Sequence, residues 1–327
     1  MIHSDLLGSV FVTGGTGFLG GYTLDALRAT STIGRVVIAS RQSESARDVG
    51  SPEIFPLDLG RGEVLLPQGI NTVIHIAGEK RDLTKMSEVN HLGTRRLAEA
   101  AVRARVRRFV YVSSVGVYGA VPHSGRINEA SPHTPRNLYE SSKDAGERCV
   151  REVCESAGME WVIVQPSNVI GIVQGRSYPL LGLMKMIQRG HFAWFGQTEP
   201  WANYVGVQDV AAAIVAAATA CPNRSYVVNT PARMSDVVAW ISEELGVAAP
   251  ARQLPPWLGQ GLAEAGSWLQ RILGRHMPFQ RERFTELTNT TIYDPTALRI
   301  AADFRYPVGI EAEIRQMVRT YREEGLL

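Results

Sequence analysis

Two groups of residues in this 327-residue chain are spaced for chemistry. The first is Thr13-Gly14-Gly15-Thr16-Gly17-Phe18-Leu19-Gly20, in which Gly14, Gly17 and Gly20 stand three apart. Glycines at that spacing permit a tight turn, close approach of a pyrophosphate, and tight packing of a helix on a strand. The run follows the β-branched stretch 10–13 and opens an amphipathic one. The N–H groups and positive dipole end of the coming helix then face the phosphates, with Phe18 and Leu19 in its first turn. The spacing predicts a dinucleotide site.

The second group is Tyr139 and Lys143, four residues apart and so on one helical face. A phenol ionises near pH 10, but a nearby ammonium and an oxidised nicotinamide ring favour the phenolate. Tyr139 is therefore expected to act as acid or base near neutrality, while Lys143 also holds the nicotinamide ribose. Ser113 and Ser114 close a predicted strand at 109–113, where the carboxyl ends of parallel strands form a ligand crevice. Ser114 is placed to donate to the substrate oxygen that Tyr139 protonates, with Ser113 as its structural neighbour or understudy.

The end of the second strand selects the dinucleotide. A carboxylate there would bind the adenosine ribose of NAD, but the sequence reads Val37-Ile38-Ala39-Ser40-Arg41. Arg41 can pair with a ribose 2′-phosphate and Ser40 can hydrogen-bond to it, which favours NADP over NAD; the other reading of Arg41 is a solvated loop residue. Asp58 is placed to meet the adenine amino group or to form a turn.

These residues need a scaffold, and the patterning supplies one. Short β-branched runs at 10–13, 35–39, 53–57, 72–76, 109–113 and 161–165 alternate with amphipathic segments at 18–30, 85–104 and 138–157. That alternation predicts an α/β fold, a Rossmann-like doubly wound parallel sheet. After Pro166 the alternation weakens into loops rich in Gly, Pro and aromatic residues, with a helix at 209–220 and a strand at 226–229. We expect a dinucleotide-binding domain at 1–166 and a smaller substrate-binding lobe within 167–327, interleaved with late strands of the sheet.

Composition narrows the function. Lys plus Arg (34) nearly balances Asp plus Glu (32), for a net charge of +2, which argues against an electrostatic nucleic-acid binder. Cys149, Cys154 and Cys221 form no C-x-x-C pair, so neither a disulfide framework nor a metal site is expected, and a cytoplasmic setting fits. Residues 1–9 lack the basic start and apolar run of a secretory leader, and the apolar stretch 210–220 is shorter than the ~20 residues of a membrane span.

Taken jointly, the motifs resemble the extended short-chain dehydrogenase/reductase superfamily, of the nucleotide-sugar-modifying epimerase, dehydratase and reductase type, over nearly the whole length. They are the glycine loop, Asp58-Leu59, His75-Ile76-Ala77-Gly78, Val89-Asn90-His91-Leu92-Gly93-Thr94, Ser113-Ser114, Tyr139 with Lys143, Gln165-Pro166-Ser167-Asn168-Val169-Ile170-Gly171 and the run 203–211. The resemblance assigns catalysis to Ser114, Tyr139 and Lys143. It places Leu59, Ala77, Gly78, Pro166, Asn168 and Val169 at the cofactor, with Asn168 also facing substrate. It has Asn90 tie its helix to the preceding strand and Asp209 anchor a loop by capping the helix that follows. It also implies a homodimer through the helices at 85–104 and 138–157. His75 is read as a buried core residue or a catalytic one.

Two departures stand out. Val115-Gly116 replaces the Asp-Glu pair that performs elimination in the sugar 4,6-dehydratases, and Gln165 replaces an arginine common before the proline. The catalytic set suits a reductase of a 4-keto nucleotide sugar and equally a 4-epimerase; NADP favours the reductase. Arg281 and Arg283 are candidates for a substrate diphosphate or for an exposed charged helix. The apolar stripe 257–272 and residues such as Leu180, Leu181, Leu183, Met184, Met186, Phe192, Trp194 and Phe195 fit core packing. They also leave open a hydrophobic alcohol or ketone as substrate. A cofactor-sensing protein without turnover is the remaining alternative, against which the complete catalytic set argues.

Overall fold

The computed structural model describes residues 7–30, 33–41, 53–119, 124–172, 178–196, 199–255, 257–258, 261 and 290–327. Its strands are β1 (Gly8–Thr13), β2 (Ile33–Ser40), β3 (Glu53–Pro56), β4 (Thr72–His75), β5 (Arg108–Val112), β6 (Ser124–Ile127), β7 (Glu160–Pro166) and β8 (Asn168–Ile170). They continue with β9 (Trp194–Phe195), β10 (Trp201–Ala202), β11 (Tyr204–Gly206), β12 (Arg224–Val228), β13 (Ala232–Arg233), β14 (Gln253–Leu254) and β15 (Thr290–Tyr293). The helices are α1 (Phe18–Arg28), α2 (Leu83–Ser87), α3 (Thr94–Arg103), α4 (Leu138–Ala157), α5 (Leu181–Gln188), α6 (Val207–Thr219), α7 (Met234–Leu245), α8 (Thr296–Ala301) and α9 (Ile310–Glu323).

Seven strands form one parallel sheet in the order β12-β7-β5-β4-β1-β2-β3. Alternation along β1 shows how it is covered. Val10 and Val12 pack with Leu24 and Leu27 of α1 and Val210, Ile214 and Ala217 of α6, whereas Phe11 packs with Leu97 and Ala101 of α3 and Val150 of α4. Period-two side chains thus bury both faces, as a parallel sheet requires. The strand order reverses between β1 and β4, and outside the carboxyl ends of strands at such a point lies the ligand crevice of this fold.

The smaller lobe has its own core, in which Met184 and Ile187 of α5, Val237 and Ile241 of α7, and Ile314, Met317 and Val318 of α9 are buried together. Leu180, Leu181, Leu183, Met186 and Trp194 pack partly buried against it, which gives these apolar residues the core explanation. Of the stripe 257–272, Trp257, Leu258 and Gly261 are described, and Trp257 is exposed. No helix of the described residues is long and apolar enough to cross a membrane.

Two sequence expectations need correction. The segment read as one helix over 85–104 consists of α2, a π-helical turn at Glu88–Gly93, and α3. The wide turn accompanies a close approach: a Cβ on Gly93 would lie 2.6 Å from the Leu59 carbonyl oxygen. Asp209, expected to cap the following helix, sits inside the first turn of α6. Its two carboxylate oxygens accept the Val308 and Gly309 N–H groups at 2.9 Å each, so it anchors the chain entering α9.

Beside Asp209 lies Glu313 of α9, 2% exposed, between Gly171 and Gly206. Burial, with the Asp209 charge second, pushes its carboxyl up to about 7 from the ordinary 4.5. The folded state therefore holds this proton more tightly than the unfolded chain, so the stabilisation is full below pH 4.5 and is lost as pH rises through about 7. Glu313→Gln, which mimics the protonated form, should raise the urea midpoint at pH 8 and change it little at pH 4.5. A loss at pH 8 equal to that at pH 4.5 would refute the assignment.

Candidate active site

The glycine loop runs from the end of β1 into α1. Gly14 has φ +73, and a Cβ there would lie 2.6 Å from the Ala77 backbone nitrogen. A Cβ on Gly20 would overlap the Gly14 carbonyl oxygen and lie 2.6 Å from Gly15 Cα. Gly17 is the exposed N-cap of α1 and offers no side chain to its first N–H groups. A bare loop ending in an uncapped helix start is the cradle a pyrophosphate needs, so the residues present fit a dinucleotide. Phe18 and Leu19 stand in that first turn, where Leu19 also packs on the core.

At the adenosine end, Ser40 closes β2 and Arg41 follows it, exposed. Lys85 is paired with Asp82 at 2.8 Å, which raises its ammonium from the ordinary value; the Arg41 charge opposes this weakly. Asp58 has one carboxylate oxygen on the Gly60 N–H at 2.9 Å, the turn contact; Leu59 is buried beneath it.

Behind the loop runs a chain of neutral hydrogen bonds. The Ala77 N–H donates to Thr13 Oγ1 at 3.3 Å, and Thr13 Oγ1 lies 2.6 Å from His75 Nδ1. His75 Nε2 lies 2.9 Å from Thr94 Oγ1, which donates to the Asn90 carbonyl at 2.8 Å. These partners assign the proton to Nε2. Burial, with the Lys143 charge second, pushes His75 down to about 3, so it is a neutral strut of the core and no acid/base. Asn90 lies in the π-helical turn. Its amide accepts from the Glu79 N–H at 2.7 Å and donates to the Glu79 carbonyl at 2.7 Å and to Ser142 Oγ at 3.0 Å. It thereby ties the Ala77-Gly78 loop to α4.

Helix α4 begins where the sequence predicts because Asn137 accepts the Glu140 N–H at 2.9 Å while the Glu140 carboxylate takes the Arg136 N–H at 2.6 Å. It ends at Gly158, φ +67. Gly146 lets it approach closely, since a Cβ there would lie 2.7 Å from the Asn90 carbonyl. The helix brings the Tyr139 phenol beside the Ser114 side chain. Ser114 Oγ accepts the Gly116 N–H at 3.1 Å. Ser113 points elsewhere: it is buried, and its hydroxyl has no partner among the described residues.

Lys143 is 4% exposed, donates to the Val112 carbonyl at 2.7 Å and lies 4.6 Å from the centre of the Tyr111 ring. Burial pushes its ammonium down to about 8. A Cβ on Gly78 would lie 3.2 Å from Asn90 Oδ1 and 3.6 Å from the Lys143 nitrogen, which sets this glycine beside both. Burial raises the Tyr139 phenol from its ordinary value and outweighs the opposing influence of the Ser114 side chain.

The strand ends after Pro166 complete the crevice. Ser167 Oγ donates to Asn229 Oδ1 at 2.8 Å, and Asn168 begins β8, exposed, with Val169 next to it. Asn203 and Asn229 are buried, joined at 3.0 Å, and bonded to the Thr291 and Tyr293 carbonyls. Nothing in local spacing singled out this amide pair. Gln165, the residue that departs from the resemblance, is fully buried and takes part in a core network with Tyr118 and Glu147. Arg281 and Arg283 lie outside the described residues.

A family model described as the NAD dependent epimerase/dehydratase family matches residues 10–229. The chain belongs to that family. Within it, the chain is similar to the N-acetyl-alpha-D-glucosaminyl-diphospho-ditrans,octacis-undecaprenol 4-epimerase of Escherichia coli O157:H7, 27% identical over 301 residues and 88% of each chain. It is also similar to sterol demethylase protein B of Methylococcus capsulatus, 27% identical over 335 residues, 98% of this chain and 100% of the other. The fold is similar to that of the UDP-glucose 4-epimerase of Thermotoga maritima, solved with UDP-glucose, at a TM-score of 0.69 and 18% identity over 97% of this chain and 99% of that one.

For this member of the epimerase/dehydratase family, Gly20→Ala should weaken dinucleotide binding at least about tenfold, or about 1.4 kcal/mol, with thermal unfolding still cooperative. Fluorescence titration with NADPH and NADH reads the effect, and unchanged affinity for both would remove the loop from the site.

Proposed function

We propose that the chain is an NADP-dependent reductase that delivers hydride to a carbonyl, with a 4-keto nucleotide sugar as substrate. The observation that carries the reading is the end of β2, where Ser40 and the exposed Arg41 stand in place of a carboxylate; it is joined by Tyr139, a half-buried phenol beside Ser114. A reduction starts with the proton on this oxygen, whereas an oxidation starts without it. Arg41, exposed at the end of β2 where no carboxylate stands, supports NADP by offering positive charge to a 2′-phosphate.

A reduced nicotinamide dinucleotide held in this crevice would supply the hydride that the carbonyl carbon receives. Tyr139 gives its proton to the carbonyl oxygen, so the C=O π pair becomes the new O–H bond, while Ser114 hydrogen-bonds the same oxygen. The Lys143 ammonium stabilises the phenolate left on Tyr139 until water returns the proton. Gly14, Gly17 and Gly20 hold the pyrophosphate, Ala77 and Gly78 line the cofactor, and Pro166 to Val169 border the nicotinamide end. A homodimer through the segments 85–104 and 138–157 belongs to the same proposal and is supported by the exposed Leu92 of the π-helical turn and Leu138 at the start of α4.

Sugar 4-epimerisation is the second reading, favoured by the similarity to the polyprenyl-diphospho-sugar 4-epimerase over most of both chains. The two differ in how the cofactor is held. A reductase exchanges it each turnover, whereas an epimerase regains its hydride and has no need to release it.

Purified protein titrated with both reduced dinucleotides should therefore prefer NADPH and carry no retained nucleotide; tightly retained NAD would make the epimerase the better reading. Arg41→Asp should weaken NADPH by about tenfold or more and NADH little, a charge-assisted hydrogen bond being worth about 1.5–3 kcal/mol, and equal losses would sink the phosphate assignment. Tyr139→Phe should cut turnover by about 10²–10⁴-fold with cofactor affinity nearly unchanged. Near-normal turnover would remove Tyr139 from the chemistry.

A further inference from the structure

Lys143 is a buried cation whose surroundings are short of negative charge. No carboxylate of the described residues lies in ion-pair contact with it. Around it stand the Tyr111 ring and Val112 carbonyl of β5, His75 of β4, and Gly78 with the Asn90 amide; on its own helix Tyr139 lies one turn before it and Glu147, buried like it, one turn after. Tyr111 and Tyr139 are neutral phenols held above 10 by burial, and His75 is a neutral imidazole. That leaves Glu147, one helical turn beyond Lys143, as the anion of this set.

Glu147 is 0% exposed, yet both of its oxygens are held. The Gln165 side-chain N–H of β7 donates to one at 2.8 Å, and the Arg151 guanidinium donates to the other at 2.7 Å. Gln165 is fixed in turn, because the Tyr118 hydroxyl donates to its carbonyl oxygen at 2.7 Å. Arg151 also donates to Ser225 Oγ at 3.1 Å and lies 5.5 Å from the centre of the Trp161 ring. Along one face of α4 the charges thus run Lys143 positive, Glu147 negative, Arg151 positive. A cation at position 165 would have claimed the Glu147 charge from the β7 side; a neutral amide holds the carboxylate in place and leaves its field to the two helical cations.

We propose that Glu147 is a positioning residue, a carboxylate fixed by Gln165 and Arg151 that serves as the counter-charge of the buried Lys143 ammonium. The importance of this for turnover rests on the reading of Lys143 as the cation beside the cofactor, but the electrostatic claim can be measured on the lysine alone.

The chain contains four lysines, at 80, 85, 143 and 185, so lysine-labelled protein gives few side-chain signals for NMR titration. The Lys143 signal is assigned by its loss in Lys143→Met. Burial pushes the wild-type ammonium down to about 8, with Glu147 opposing. Glu147→Gln should move that midpoint down by about one pH unit or more, and Glu147→Asp should restore most of the shift. Arg151→Gln, which frees the carboxylate from its other cation, should move it up. A midpoint unmoved in folded Glu147→Gln overturns the proposal. Should that variant fail to fold, Arg151→Gln decides: an upward shift supports the proposal and an unmoved midpoint overturns it. NADPH affinity measured across the same pH range separates the two claims. A Lys143 midpoint that moves without a matching change in affinity would leave Glu147 in its role and remove Lys143 from the cofactor site.

Discussion

A lysine ammonium buried at the carboxyl end of a parallel strand sets the terms for the rest of this molecule. Removing a charge from water is costly unless dipoles, π faces and counter-charges replace the lost hydration. Here the replacements are a strand carbonyl, a tyrosine ring and a carboxylate one turn away, and each comes from an element whose position cannot drift. The close packing of α4 through Gly146, the amide of Asn90 reaching Ser142, and the neutral His75 all follow from the same need to surround one cation without adding another.

The sheet makes that arrangement possible. Because both faces are buried, strand ends are displaced little by solvent or side-chain motion, and the glycine loop, the Ala77-Gly78 turn and the serines of β5 emerge along one edge. The smaller lobe then closes on this edge through polar contacts that are themselves buried, the Asn203 and Asn229 amides and the Asp209 carboxylate. Buried and satisfied amides specify one docking geometry where apolar contacts would tolerate several.

What the sequence made legible was local. The glycine spacing, the Tyr139 and Lys143 pair and the extent of α4 depend on neighbours within a few residues, so their types and intervals carry the information; α4 runs over 138–157 as its turn-forming approach and its length predict. Features that depend on distant partners were not legible. Glu147 stands four residues after Lys143, an interval that was available to be read, but its meaning depends on Gln165 and Tyr118 from other elements. The π-helical turn follows from a tertiary approach to Leu59, and the anchoring by Asp209 needs a loop about a hundred residues further on. A motif likewise names the groups but not how dry the space around them is: burial of the Tyr139 phenol comes from the elements packed over it.

The pairing of β6 with β15 has a consequence for the order in which the molecule is made. These strands run parallel in a separate ribbon, Ser124 opposite Thr290 and Ile127 opposite Tyr293, and the Asn203 and Asn229 amides bond to the second of them. Contacts of such long sequence separation form late, since the loop between them must first be closed. On the ribosome, the strands and helices that surround the dinucleotide crevice can assemble while the far end of the ribbon has yet to be synthesised. At that stage the glycine loop and the sheet around it are already synthesised while β15, the partner of β6, is not.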